Sequence, residues 1–163
     1  MDDRQQREQN FTEAIRRHRA AMFRVARAML RSDADAEDAV SAATLSAWQH
    51  LSSLRDWDSV RPWLMRITVN ACHGILRRRK REVPMDAQVF PEPPSSPEET
   101  PLWMYIEMLP RDYATVMQMR FGEGMTLEEI CAALHLAKGT VSSRITRGKQ
   151  ELKRLMEREA DCP

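Results

Sequence analysis

Cysteine, glycine and long apolar runs are all scarce in this 163-residue chain. Each scarcity excludes something. The three cysteines, Cys72, Cys131 and Cys162, are odd in number and far apart, so they form neither a CxxC site nor a disulfide framework. Cys72 and Cys131 fall in helical patterns and read as small core residues. The five glycines make no phosphate-cradling loop, and no metal cluster or nucleophile–base arrangement is legible. His135 and the Cys72-His73 pair have no companions at metal-ligand spacing. No enzyme activity, metal or cofactor is therefore expected. No apolar run reaches bilayer length and MDDRQQREQN is no signal peptide, which predicts a cytoplasmic protein without membrane insertion. Strand periodicity is missing too, so the fold class expected is all-α.

A formal net charge of +1 conceals a strong asymmetry. Residues 1–81 hold 16 Lys and Arg against 10 Asp and Glu. Residues 82–101 hold five anions and no cation, whereas residues 102–163 carry nine of each sign. The middle stretch, EVPMDAQVFPEPPSSPEETP, also contains six of the nine prolines and no apolar periodicity. It reads as a flexible acidic linker between two small helical domains, 1–81 and 102–163. Its charge leaves two readings open: a plain solvated tether, or a cover for a basic surface when that surface is unoccupied.

Before the linker, Phe11, Ile15, Met22, Val25 and Met29 recur at helical spacing and predict a first helix from about Asn10 to Leu30. Ser32 and Asp33 are candidate N-caps for a second, whose acidic first turn suits the positive end of the helix dipole. Val40, Thr44, Ala47, Trp48 and Leu51 are expected inward. SSLRDWDS breaks the pattern. Ser59 then caps a third helix, Pro62 fits its first turn, and Trp63, Leu64, Ile67, Ala71, Ile75 and Leu76 form its expected buried stripe. That helix closes on five consecutive cations, Arg77 to Arg81.

After the linker come short helices over about Leu102–Met108 and Pro110–Phe121, then a two-glycine turn, FGEGM. Thr126 and Glu129 form a capping box for a helix to about Leu134. HLAKG is a tight turn, and KGTVSSRITRGKQELKR opens a final helix to about Glu157. A short helix, a tight turn and a longer helix make a helix-turn-helix pattern. At ~100° per residue, Val141, Ile145, Gly148, Leu152 and Leu155 share one stripe. Gly148 on that stripe lets a neighbouring helix approach. Thr140, Ser143, Arg147, Arg154 and Arg158 lie opposite, with Ser142, Thr146 and Lys149 on the flank. A slim, hydroxyl-rich face with arginines suits a DNA major groove, where Arg pairs with guanine edges. Lys153, Arg154 and Arg158, further along, suit phosphates.

The stretch from Leu109 to Leu155, with its LP opening, R-x-x-x-G turn, EEI and GTV-x-SR, resembles region 4 of the sigma-70 family of bacterial transcription initiation factors. DAEDAV, AW, RPWLMRITVN and the arginine run resemble region 2. Two helical domains and one linker resemble the smallest class, the extracytoplasmic-function sigma factors. The resemblance implies a protein that binds core RNA polymerase and directs initiation at promoters with −10 and −35 elements. It implies that Asp35, Glu37, Asp38, Ser41 and Leu45 face the β′ clamp helices, and that the β flap holds the second domain. Arg55, Trp57, Asp58, Ser59, Arg66, Asn70, Arg77 and Arg78 would engage the −10 element, with Trp57 either stacking on a base or packing on the bundle. Trp48 and Trp63 are expected in the core. Thr140, Ser142, Ser143, Arg144, Thr146, Arg147 and Lys149 would engage the −35 element. An anti-sigma factor is a further implied partner.

The chain departs from the family's pattern in four places. Ser41-Ala42-Ala43-Thr44 stands where Gln-Glu-(Thr/Val)-Phe is usual. Gly74 replaces a common acidic residue, at a cost of ~1 kcal/mol against Ala in a helix interior. Ser142 replaces Lys or Arg, and His135 replaces Gly in the helix-turn-helix turn. Two other functions compete with the sigma-factor reading: a stand-alone helix-turn-helix regulator, and a sigma-like adaptor that binds polymerase without opening DNA.

Overall fold

The computed structural model describes residues 2–82 and 101–161. Most of the expected linker, and Cys162, lie outside the described residues. Among the described residues there are seven α-helices and no strand. They fall into two compact units, 1–76 and 77–163.

In the first unit, α1 (Asp3–Leu30) and α2 (Asp33–Gln49) are joined by two residues. Arg31 adopts the left-handed conformation (φ 57°, ψ 27°) that ends α1. Ser32 then caps α2, its hydroxyl accepting from the Asp35 amide at 3.2 Å, as its composition predicts. The Arg27 guanidinium reaches Asp33 at 2.7 Å across the corner. Phe11, Met22, Val25 and Met29 are buried along α1, and Ile15 is half-buried. The helix begins at Asp3, seven residues before the apolar pattern does. This polar leading segment has i,i+4 support from an Arg4–Glu8 ion pair and a Gln6–Asn10 hydrogen bond.

The seam of α2 is narrower than expected. Ala36, Ala39, Val40, Ala43 and Ala47 are the buried residues. Four alanines among them let α1 approach closely, which pushes larger neighbours to the rim. Thr44 and Leu51 are consequently half-buried. Trp48, expected in the core, is 44% exposed. It lies one residue past Ala47, ~100° off the seam, and its ring leans on Phe11 at 5.2 Å between centroids.

The third helix, α3 (Val60–Glu82), is entered through a 3-10 turn at Trp57–Ser59. Asp56, not Ser59, supplies the cap there, its carboxylate accepting from the Asp58 amide at 3.1 Å. The buried residues of α3 are Leu64, Met65, Thr68, Val69, Cys72 and Ile75. The helix is thus rotated by about one residue from the stripe that Trp63, Ile67 and Ala71 suggest. Those three are half-buried, and the Trp63 indole N–H donates to the Ser53 hydroxyl at 3.3 Å. Thr68 is tolerated inside because its hydroxyl donates to the Leu64 carbonyl at 2.8 Å. Burial pushes the Cys72 thiol up to about 12, so it remains protonated and inert near neutral pH. Cys131, in the other unit, is only half-buried. Burial, then Arg17 and Arg61, lower the pKa of His18 and favour its neutral form.

In the second unit, α4 (Leu102–Glu107) and α5 (Arg111–Met117) precede α6 (Leu127–Leu134) and α7 (Lys138–Ala160). The helix begun by α5 widens into a π-helical turn over Gln118–Gly122, where the Glu123 amide donates to the Gln118 carbonyl at 3.0 Å. Gly122 makes room for the nearly buried Gln118 side chain. A β-carbon at Gly122 would lie 2.0 Å from Gln118 Nε2. That amide instead donates to Glu123 at 3.1 Å. Gly124 carries a φ of 63°, which explains the second glycine of the turn. Arg120 secures it by donating to the Met125 carbonyl at 2.8 Å.

The core of this unit contains Tyr105, Ile106, Leu109, Val116, Met117, Met119, Met125, Ile130 and Val141, all nearly or fully buried. Helix α5 crosses α7 at Gly148. A β-carbon at Gly148 would sit 2.9 Å from Met117 Cγ and 3.1 Å from its Sδ. In Gly148→Ala, overpacking of ~1–3 kcal/mol opposes a helix-propensity gain of up to ~1 kcal/mol. A net destabilisation of ~1 kcal/mol is expected in urea unfolding monitored by helical circular dichroism, with Gly148→Val worse. A stabilised Gly148→Ala variant would show that the crossing has slack.

Candidate nucleic-acid and polymerase interface

Three local devices orient α7. The first is the capping box of α6: the Thr126 hydroxyl accepts from the Glu129 amide at 3.1 Å, and the Glu129 carboxylate accepts from the Thr126 amide at 3.2 Å. The second is His135, which ends α6 in the left-handed conformation (φ 54°, ψ 44°). From there the Leu136 amide reaches back to the Cys131 carbonyl at 3.2 Å. The third is the apolar seam of α7. Val141 and Gly148 are buried, while Ile145, Leu152 and Leu155 are half-buried.

With the seam inward, Thr140, Ser142, Ser143, Thr146, Arg147 and Lys149 are all exposed on the remaining face. The structure therefore brings six of the seven −35 candidates to one surface. Thr146 is folded back on its own helix, its hydroxyl donating to the Ser142 carbonyl at 3.0 Å. Arg144 differs from the other six. It is half-buried and lies 3.8 Å from the Asp112 carboxylate of α5. Lys149 holds its ammonium 5.2 Å from the centre of the Phe121 ring. Of the later cations, Arg154 pairs with Glu151 at 2.6 Å and Lys153 with Glu157 at 3.9 Å.

On the first unit, Asp38, Ser41 and Leu45 are exposed at helical spacing along α2, and Trp48 extends the row. Leu45 is 59% exposed. Glu37 is also exposed, 3.7 Å from Arg19 of α1. Asp35 is half-buried in the first turn beside the Ser32 cap. Where the sequence reads SAAT, Ser41 and Ala42 are exposed, Ala43 is buried, and the Thr44 hydroxyl turns back to the Val40 carbonyl at 2.8 Å. A shallow groove results, lined by apolar Phe11, Ile15, Val40, Leu45 and Trp48 together with Arg19, Ser41 and Thr44. The sequence reading placed Trp48 inside and so missed its part in this surface. Its position three residues after Leu45 was the available signal.

The −10 candidates divide between loop and helix. Arg55, Asp58 and Ser59 are exposed in and around the 3-10 turn, and Trp57 is half-buried there. Arg66 and Asn70 share an exposed stripe of α3, which Arg77 continues along the same helix; Arg78 is exposed beside it. No group of three or more His, Cys, Asp or Glu suited to a metal occurs among the described residues. No helix among them is long and apolar enough to cross a membrane.

Exposed acids and apolar groups on one helical unit, with a hydroxyl- and arginine-faced helix-turn-helix on another, define a two-part helical DNA-binding protein. Residues 14–82 match sigma-70 region 2, and residues 100–152 match sigma-70 region 4. The ECF RNA polymerase sigma factor SigM of Mycobacterium tuberculosis is 33% identical over 151 residues, covering 90% of this chain and 76% of that protein. The ECF RNA polymerase sigma-E factor of Escherichia coli is 30% identical over 137 residues, 72% of each chain. Among solved structures, the sigma factor RpoE of Bartonella quintana, bound to the anti-sigma factor NepR, has the same fold. Its TM-score is 0.74 at 23% identity, covering 90% of this chain and 96% of that one. CnrH, in complex with the cytosolic domain of CnrY, aligns with a TM-score of 0.65 at 25% identity, covering 93% of this chain and 89% of that one. The chain belongs to the sigma-70 family, in its extracytoplasmic-function class. Sigma factors are in general regulators without catalysis of their own.

His135 is the residue of the turn whose cost is most exposed to measurement. A non-glycine residue in the left-handed region is strained, and glycine relieves it at some entropic cost. His135→Gly is expected to stabilise the second unit by ~0.5–1 kcal/mol, read as a raised midpoint in urea. A lowered midpoint would mean that the imidazole contributes a contact worth more than the strain.

Proposed function

We infer that this chain is an RNA polymerase sigma factor: it joins core polymerase and directs promoter-specific initiation through −10 and −35 elements. The single observation that carries this reading is the outward face of α7, where Thr140, Ser142, Ser143, Thr146 and Arg147 stand exposed behind a capped helix-turn-helix. Sequence is read where short side chains admit the helix to the major groove and Arg meets a base edge. Arg144 and Lys149 complete the −35 set from the flanks.

The remaining assignments follow the same logic. Arg55, Trp57, Asp58 and Ser59 form a loop that, with the helix face near Asn70, receives the −10 element and its unpaired base, while Arg66, Arg77 and Arg78 follow the phosphates. Asp35, Glu37, Asp38, Ser41 and Leu45 meet the β′ clamp helices, and the β flap holds the second domain. Supporting this is the exposure of Asp38, Ser41 and Leu45 in one row. The functional domains are 1–81 and 102–163, with 82–101 as an acidic tether. The protein acts in the cytoplasm, is not an enzyme, and is held in check by an anti-sigma factor, the kind of partner bound to RpoE in the Bartonella quintana structure.

Purified core polymerase with this chain is expected to yield transcripts from a defined set of promoters; binding to core without initiation would favour the adaptor. Asp38→Arg is expected to weaken core binding about tenfold, because charge reversal at an interface sets like charges together. Helical content should not change. Unaltered core affinity in a titration would remove Asp38 from the interface.

A further inference from the structure

Helix α5 and the π-helical turn that follows it touch α7 on both of its flanks. Gly148 and Met117 mark the crossing. On one side of it, Asp112 near the start of α5 lies 3.8 Å from Arg144. On the other, Phe121 in the π-helical turn carries the Lys149 ammonium 5.2 Å from its ring centre. At ~100° per residue, Arg144 and Lys149 stand ~140° apart around α7, with the exposed hydroxyl and Arg147 strip in the wider arc between them. A recognition helix in a major groove about 12 Å wide has one phosphate backbone along each flank. The two flanking cations are therefore placed for the two backbones, while base edges face the strip.

We propose that Asp112 and Phe121, neither of which enters the groove, are positioning residues that set these two cations against the promoter backbone, and in opposite senses. Phe121 is 50% exposed, although large apolar side chains near a turn usually pack inward. As a platform it supports the Lys149 ammonium in an extended, outward position and lowers the entropy lost when that ammonium meets a phosphate. Asp112 does the reverse. Its carboxylate is largely exposed, whereas Arg144 is mostly covered. Arg144 reaches a phosphate only in competition with Asp112, so Asp112 subtracts from affinity for every duplex alike. A uniform loss cancels in the ratio between sequences, so the pair sets how tightly the protein holds any duplex while base contacts alone discriminate. The proposal rests on the sigma-factor reading of α7.

The test uses holoenzyme assembled from the full chain and core polymerase, with promoter and random-sequence duplexes titrated across a salt series. Asp112→Asn is expected to tighten binding to both duplexes about threefold to fivefold at low salt, the scale of an exposed ion pair. The gain should fade as salt rises, and Asp112→Glu should behave as wild type. The gain should vanish in an Arg144→Ala background, because a residue acting through Arg144 has nothing left to release. Phe121→Leu is expected to weaken binding about twofold to fivefold, the scale of an exposed cation–π contact. Phe121→Tyr should restore it, and the Phe121→Leu loss should vanish in Lys149→Ala. Thermal melts and core affinity serve as controls, and neither should move. Unchanged duplex affinity in Asp112→Asn, or a gain that persists without Arg144, overturns the proposal, as does a Phe121→Leu loss that Tyr does not restore. Wild-type holoenzyme that shows no promoter selectivity sinks the sigma-factor reading itself. Normal wild-type selectivity with unresponsive variants sinks only the positioning roles.

Discussion

Met117 lies so close to Gly148 that no β-carbon fits between them without movement. That contact fixes the orientation of α7 about its own axis. With the glycine and Val141 turned inward, the polar residues of the same helix have only one direction left. Nothing in the polar face itself selects that direction; the packing of the seam does. The widened turn at Gln118–Gly122 serves the same end by carrying the chain from α5 round to the capping box of α6. The second unit is thus an apolar clasp on one side of α7 that leaves the other side exposed.

The first unit solves a similar problem with alanine instead of glycine. Ala36, Ala39, Ala43 and Ala47 bring α1 against α2 along a seam too narrow for large side chains. Leu45 and Trp48 are displaced to the surface in consequence. Leu45 and Trp48 lie in one row with Asp38 and Ser41, the row proposed above to meet the polymerase. The Ser41-Ala42-Ala43-Thr44 stretch then reads as a change in the shape of the surface, a groove where the family commonly has bulk.

Much of this was legible in the sequence. The helix count, the capping box, the helix-turn-helix turn and the glycine crossing all follow from local rules, because caps, turns and seams are written in a few adjacent residues. His135 is an instance: a residue type that tolerates the left-handed region stands at the position that requires it. The inward positions of α2 and α3 were less legible. Periodicity locates a stripe only to within about one residue, and it points Trp48 and Trp63 inward. The exposure of Trp48 depends on how closely α1 approaches α2, which is a tertiary property. The pairing of Arg144 with Asp112 and of Lys149 with Phe121 was not legible at all. Each joins residues more than 25 positions apart, and only the angle at which α5 crosses α7 brings them together.

The exposed face of α7 is proposed to read promoter sequence, with Arg147 at a base edge. Transcription of a library randomised across the −35 element, by Arg147→Ala beside the wild type, tests it most directly. The account predicts lost discrimination at one or two base pairs, each worth ~1–3 kcal/mol, with preference elsewhere intact. A uniform loss across all sequences, with base preference unchanged, would place Arg147 on the backbone and contradict the claim.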